Sequence, residues 1–192
     1  MNTTDRPTPG PASDPATEIL DVVDEDDRVT GQAPRAEIYA RGLRHRCVFV
    51  LVRDGQDRIF VHRRTAGKLV FPSLYDMFVG GVLGAGESYG AAALREAEEE
   101  LGVSGLEPPV PLFPFRYDSP DGAFRENAYV YEVRCPLPVS PQVAEVAWHA
   151  FLPEAEVERR LAPGPGRWEW VPDGIAAYER LRALRAEGPG RA

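Results

Sequence analysis

Cysteine is scarce in this chain: Cys47 and Cys135 are the only two among 192 residues. One sits inside an apolar run and the other at the end of a strand-like segment. Thiols so placed supply neither a disulfide framework nor the paired spacing of a zinc site, and both are expected to be reduced. Net positive charge is missing as well. The formal charge of −8 gives no sequence-independent attraction to nucleic acid or anionic membranes. A polyanionic partner would have to be met by local arginines and metal, which favours free nucleotides or other small-molecule diphosphates over a nucleic-acid polymer. There is no apolar signal core at the start and no run approaching the length of a transmembrane helix, so no membrane partner is expected and cytoplasmic residence is the default. Internal repeats are absent too. What remains, 192 residues with 43% apolar content, suits one domain with a single core and leaves no room for a second catalytic module.

Residues 1–17 are rich in Pro, Thr, Ser and Asp, and Pro7, Pro9, Pro11 and Pro15 break any regular element, so a disordered leader is expected there. The domain is expected over 18–186, with a loose tail at 187–192. Strands are predicted at Ile19 to Val23 and Arg28 to Thr30 around an acidic turn, followed by a short helix near Arg35 to Ala40. The continuous apolar run Cys47 to Val52 suits a buried central strand, and Asp54-Gly55 then turns the chain into Ile59 to His62, which predicts a hairpin. Asp76 to Gly81 leads into a glycine-rich loop and a helix. Further strands are predicted at Leu112 to Tyr117, Phe124 to Val133 and Val143 to Phe151, and helices at Glu154 to Leu161 and Gly174 to Arg185. Strands on both sides of a central helix, with helices at the end, point to an α/β layered domain with a mixed sheet.

The segment from Gly81 to Val103 carries the chemistry. Ser88 is a good N-cap and Gly102 suits a left-handed C-cap, which sets a helix of about four turns. At about 100° per residue, Leu94, Ala97 and Leu101 share one side while Glu96, Glu99 and Glu100 fill an arc on the other. Carboxylates at i, i+3 and i+4 repel one another and raise one another's pKa values unless a cation sits among them. A hard divalent ion such as Mg²⁺, with Mn²⁺ as a substitute, takes oxygen ligands from one or two carboxylates together with substrate phosphates, so the arc suits a metal–pyrophosphate site. Arg95 flanks Glu99 and is placed to hold a carboxylate. The same glutamates would also suit a solvated helix face. The preceding Gly80, Gly81, Gly84 and Gly86, which permit close backbone approach, favour the site.

Gly81, Glu87, Arg95, Glu96, Glu99, Glu100 and Gly102, with Ala97 and Val103 at the aliphatic positions, resemble the Nudix box, G-x5-E-x7-R-E-U-x-E-E-x-G-U. A sevenfold match at fixed spacing has a chance probability on the order of 10⁻⁸ per start position. The resemblance implies a mixed β-sheet sandwiched between helices, with the box as catalytic loop and helix. It further implies a metal-dependent hydrolase cleaving a diphosphate linkage, here of a nucleoside diphosphate derivative. Glu96, Glu99, Glu100 and the Gly80 carbonyl would hold the metal, Arg95 and Glu87 would organise helix and loop, and Glu99 or Glu126 would deprotonate the water.

Outside the box, roughly residues 18 to 185 are similar to the Nudix branch that contains isopentenyl diphosphate isomerases. The marks are the run Asp21 to Gly31, the segment Gly42 to Arg46, the pair Arg63-Arg64, and Glu126-Asn127. The isomerases need a cysteine and a histidine where this chain has Gly80 and Val82, and Ala128 replaces their second downstream carboxylate. An isomerase-like enzyme is therefore the weaker expectation. A non-catalytic nucleotide-sensing module is the other, although such modules commonly lose a box glutamate. His45 is expected to be a hydrogen-bonded structural residue rather than a metal ligand. Arg63 and Arg64 are candidates for gripping a substrate phosphate. Glu132 and Glu145 are further candidates for an extra carboxylate, and Tyr117, Phe124, Tyr129 and Trp148 for stacking on a base. The assembly state is left open, a homodimer being compatible.

Overall fold

The computed structural model describes residues 14–187. A two-stranded antiparallel ribbon, β1 (Ile19–Val23) and β2 (Val29–Pro34), precedes a seven-stranded mixed sheet. The sheet contains β3 (His45–Arg53), β4 (Ile59–Arg64), β5 (Tyr75–Asp76), β6 (Val79–Val82), β7 (Val110–Asp118), β8 (Arg125–Arg134) and β9 (Val146–Leu152). Helices α1 (Arg35–Arg41), α2 (Tyr89–Leu101), α3 (Glu154–Leu161) and α4 (Pro172–Glu187) cover it. This is the expected α/β sandwich. No helix among the described residues is long and apolar enough to cross a membrane.

Strand β3 is buried on both faces, which is why its sequence is a continuous apolar run rather than an alternation. Val48, Val50 and Val52 face α2, where Ala92, Ala93, Ala97 and Leu101 pack against them. Cys47, Phe49 and Leu51 face the other layer, formed by Ile38 of α1, Val157 of α3, and Ala177, Tyr178 and Leu181 of α4. Three buried alanines let α2 lie close to the sheet, so the small Ala97 at an aliphatic box position is a fully enclosed packing residue.

The predicted hairpin is corrected in one respect. The Asp54 turn is present, its Oδ1 accepting from the N–H groups of Gln56 and Arg58. Yet β3 and β4 pair only at Arg53 and Ile59, because β6 takes the edge of β3 and β4 pairs instead with β9 and β5. The stretch Asp76 to Gly81 that leads into the glycine-rich loop is divided between β5 and β6. Strand β2 runs on to Pro34, since Ala33 is buried opposite Leu20 and Gln32 Nε2 donates to Asp21 Oδ1 at 2.9 Å. Helix α4 begins at Pro172, two residues before the predicted start; proline suits a first helical turn.

The predicted leader is only partly in view. Pro15–Thr17 forms a single 3₁₀ turn capped by Asp14, while residues 1–13 and 188–192 lie outside the described residues.

The run Asp21 to Gly31 is stitched to the sheet by specific bonds. Arg46 Nε donates to Asp27 Oδ1 at 2.8 Å, Asn127 Nδ2 donates to the Asp24 carbonyl at 2.9 Å, and the Gly86 N–H donates to Asp21 Oδ2 at 2.9 Å. The ribbon thereby fixes the loop that feeds α2.

Candidate active site

Strand β6 reads Val79-Gly80-Gly81-Val82, and two of these positions are glycine for lack of space. A Cβ on Gly80 would lie 2.0 Å from the Val48 carbonyl oxygen, and one on Gly81 would lie 2.6 Å from Oε1 of Glu96. Bare backbone lets β6 sit against β3 and leaves the Glu96 carboxylate its place. The Ser88 hydroxyl accepts from the Ala91 N–H at 3.3 Å, and Gly102 closes the helix in the left-handed region at φ 64. Both predicted caps are found.

Arg95 joins loop and helix. Its Nε and Nη2 donate to the two carboxylate oxygens of Glu87 at 2.8 and 2.9 Å, and its Nη1 donates to Glu96 at 2.8 Å and to Glu99 at 3.4 Å. Glu87 in turn accepts from the Gly84 N–H at 3.0 Å. The Arg95 hydrogen bonds, and then the Gly84 N–H, hold the Glu87 carboxyl below its usual range. Three carboxylates around one guanidinium leave the charge of this turn only partly compensated.

Glu100 differs from its neighbours. The predicted arc was a polar face, but Glu100 is 4% exposed and its Oε2 has no hydrogen-bond partner. Helix α2 dips here towards β4 and the following loop, bringing His62 Nε2 to 3.9 Å and Lys68 Nζ to 4.0 Å. Burial pushes the Glu100 carboxyl up to about 8, against the pull of Lys68. Burial likewise pushes His62 down to about 3, so His62 is neutral and supplies no balancing charge. Glu96 is also raised, by burial opposed by Arg95.

These groups border a cavity of about 560 Å³. Glu96, Glu99, Glu100, Arg95 and Gly80 line it, together with Arg64, Lys68 and Glu126. Arg63 does not: its Nε donates to the Ser73 carbonyl at 3.0 Å and its guanidinium lies over the Tyr75 ring. Glu87 stands behind Arg95, outside the cavity lining. Of the lesser carboxylate candidates, Glu145 lines the cavity and accepts from Lys68 at 3.1 Å. Glu132 is structural, tied to the buried Arg53 and to Arg185. Of the four aromatic candidates Phe124 alone lines the cavity, where Tyr39, Phe49, Phe71 and Phe78 lie as well. Tyr117 is outside the lining, Tyr129 packs on Tyr89 and Tyr131, and Trp148 packs on Trp168 and Tyr75.

Two residues of the loop between β4 and β5 escaped the sequence reading. Lys68 is the sole lysine among 22 basic residues, a compositional signal that would have singled it out. Phe71, whose ring lies 5.0 Å from that of Phe124, has φ 50, and Ser73 has φ 64. Side chains rarely adopt this left-handed region, so the loop holds Phe71 at the cavity under backbone strain.

Across the sheet from α2, the cavity meets a second polar group: Cys47, Glu126, Asp76 and Asp173 line it, with His45 behind. Burial, and then Asp173, drives the Glu126 carboxyl far up. Burial raises Asp173 to about 6, and burial together with Asp173 raises Asp76 to about 7. Burial also pushes the Cys47 thiol up and lowers His45 to about 4.

The donor set on α2 fits a hard divalent cation. It is all oxygen, Gly81 leaves room beside Glu96, and it includes a buried carboxylate oxygen of Glu100 that no protein group satisfies.

A mixed sheet between helical layers, with a glycine strand feeding a short helix whose glutamates border a cavity, defines an α/β domain built around a loop–helix carboxylate site. Residues 43–174 match the NUDIX domain, and the chain belongs to the Nudix hydrolase family, whose members are generally pyrophosphohydrolases and typically depend on a divalent metal. It is 69% identical to an uncharacterized Nudix hydrolase of Streptomyces coelicolor over 91% of this chain and 94% of the relative. A second uncharacterized Nudix hydrolase, from Rhodococcus erythropolis, is 36% identical over 84% of this chain and 90% of its own length. Among solved structures, a protein of Deinococcus radiodurans superposes with a TM-score of 0.70 at 31% identity, covering 85% of this chain and 98% of that one. A MutT protein of Methanosarcina mazei shares the fold at a TM-score of 0.59 and 18% identity, over 74% of this chain and 95% of its own.

Proposed function

We propose that the protein is a hydrolase dependent on Mg²⁺ or Mn²⁺ that cleaves the diphosphate linkage of a nucleoside diphosphate derivative. One observation carries this reading: carboxylates of α2 and basic side chains of the β4 end and its loop, Arg64 and Lys68, line the same cavity. That juxtaposition offers a cation site and anion-binding groups to one phosphate chain. Held by Glu96, Glu99, Glu100 and the Gly80 carbonyl, the metal would neutralise phosphate oxygens and acidify a water.

The chain's own residues do the rest. Arg95 orients Glu96 and Glu99 and is itself fixed by Glu87. Glu99 is the most exposed of the three glutamates, with 55% of its side chain accessible, and is placed to accept a proton from water. Glu126 is the poorer candidate for that base, because burial, and then Asp173, pushes its carboxyl far up and disfavours the ionised form. Lys68, on leaving Glu145, and Arg64 would grip phosphate oxygens, while Phe71, Phe124 and Tyr39 would flank the base or sugar.

Within the family, the similarity to the isomerase branch does not extend to its carbon chemistry in this reading. Gly80 and Val82 occupy the two required positions, and the 2.0 Å approach to the Val48 carbonyl leaves no room for a side chain at Gly80. Incubation with isopentenyl diphosphate should give no allylic product.

The direct test is phosphate release from a panel of nucleoside di- and triphosphates, dinucleoside polyphosphates, nucleotide sugars, coenzyme A and ADP-ribose, with metal omitted as control. Metal-dependent turnover of at least one compound is expected, and Glu99→Gln and Glu100→Gln should abolish it. Tight binding without turnover across the whole panel would instead indicate a nucleotide-sensing module.

A further inference from the structure

The structure assigns a second cation site to His45, Cys47 and Glu126, on the face of the sheet opposite α2, for a thiophilic divalent ion of the zinc class. Topology builds it. His45 and Cys47 are i and i+2 on β3, so they share one face, and Glu126 of the parallel β8 is registered directly beside His45. One donor atom from each of the three lies within 4.8 Å of the other two, and His45 Nε2 is 4.0 Å from Glu126 Oε1. Ligands on a tetrahedral zinc ion stand about 3.3–3.8 Å apart, given bonds of about 2.0–2.3 Å, so a small contraction closes the set.

Two independent observations point to an occupant. First, His45 Nδ1 is 3.1 Å from the Leu43 carbonyl, which can only accept; Nδ1 therefore carries the proton and Nε2 presents a bare lone pair. That lone pair has no partner, although His45 is 1% exposed. Second, Glu126 is 5% exposed and its Oε2 is equally unpartnered. No arginine or lysine among the described residues donates to the Glu126 carboxylate or the Cys47 sulfur. Buried polar atoms are ordinarily paired, and here the two residues that each leave one unpaired are the two grouped with a thiol.

The donor chemistry separates this site from the one on α2. Nitrogen, sulfur and one oxygen select a zinc-like ion, whereas the oxygen-only set of Glu96, Glu99 and Glu100 selects a harder one. Three protein donors leave one tetrahedral position open, and Cys47 and Glu126 both line the cavity, which supplies the entry path. The bound ion would accept a water or a donor atom of whatever molecule fills the cavity.

Cobalt(II) titration of the metal-stripped full chain tests the assignment without reference to hydrolysis. Thiolate ligation gives a sulfur-to-cobalt charge-transfer band in the near ultraviolet and tetrahedral visible bands at one equivalent, and zinc should displace both. The charge-transfer band should persist in Cys135→Ser, where Cys47 is the sole thiol, and in Glu99→Gln, and it should be lost in Cys47→Ser. Its absence from the wild type, its loss in Cys135→Ser, or its survival in Cys47→Ser would overturn the assignment. The Cys135→Ser spectrum decides the question even if Cys47→Ser fails to fold.

Discussion

The cavity has two walls that carry similar numbers of acidic groups and treat them oppositely. On the α2 wall, Arg95 hydrogen-bonds Glu87, Glu96 and Glu99, so these carboxylates are braced and oriented even without metal. On the β3–β8 wall, Glu126 has no cationic hydrogen-bond partner, and Asp76 and Asp173 accept only from backbone N–H groups. Burial therefore drives them towards their neutral forms. The number of carboxylates does not set the charge of a site; the positive partner supplied beside each one does. Glu100 is the intermediate case, on the braced helix yet buried and unpaired.

Substitutions can widen or erase this contrast. The largest effect is expected at Glu100→Gln and Glu99→Gln, which should remain folded but lose hydrolysis by about 10³-fold or more in kcat, measured as metal-dependent phosphate release. Near-normal rates would remove the role given to the α2 wall. Next comes the brace itself. Glu87→Gln or Arg95→Met should cost about 10–100-fold in metal affinity or activity, since the remaining carboxylates lose their orientation while staying in place. Calorimetry with Mn²⁺ would register the affinity part directly.

A smaller effect is expected from the sole lysine. Lys68→Met should raise KM about tenfold, roughly the worth of one charge-assisted hydrogen bond to phosphate, with little change in kcat. Lys68→Arg should restore part of it. An unchanged KM in Lys68→Met would mean that the lysine serves only Glu145 and Glu100.

The smallest effect concerns stability on the other wall. Burial, and then Asp173, raises the Asp76 carboxyl from 3.8 to about 7 in the folded protein. The folded state thus binds this proton more tightly than the unfolded chain. The resulting stabilisation is fully present below about pH 4 and is lost as pH rises through about 7. Asp76→Asn keeps an acceptor for the Phe78 N–H, which lies 3.0 Å away, and cannot ionise. Over that window the Tm of the metal-free variant should fall less steeply than that of the wild type in thermal melts. Parallel curves would show that Asp76 is not protonated in the fold.

The α2 unit was legible because its determinants are local. The Ser88 cap, the Gly102 stop and the i, i+3, i+4 spacing all act within a few turns of one helix, and the structure shows that helix where the spacing set it. Helix α3 was equally readable, matching its predicted bounds at Glu154–Leu161. The hairpin pairing was not, because the Asp54 turn fixes only the reversal of direction, whereas competition for the edge of β3 is won by the glycine strand β6. Glu100 looked like part of a polar arc, and its burial depends on a loop some thirty residues earlier that brings Lys68 to it.

What the sequence determined by itself is the run of interactions that close over short chain distances: caps, turns, apolar periodicity, and the spacing of glutamates around Arg95. What only the tertiary structure decided is which distant groups share a space and a dielectric. His45 and Glu126 are neighbours only because β3 and β8 run side by side, and Arg63 and Arg64 part company only because adjacent residues of a strand point to opposite faces. Burial and pairing are properties of that assembled surface, and they, rather than residue type, fix which carboxylate favours its charged form and which lone pair is bare.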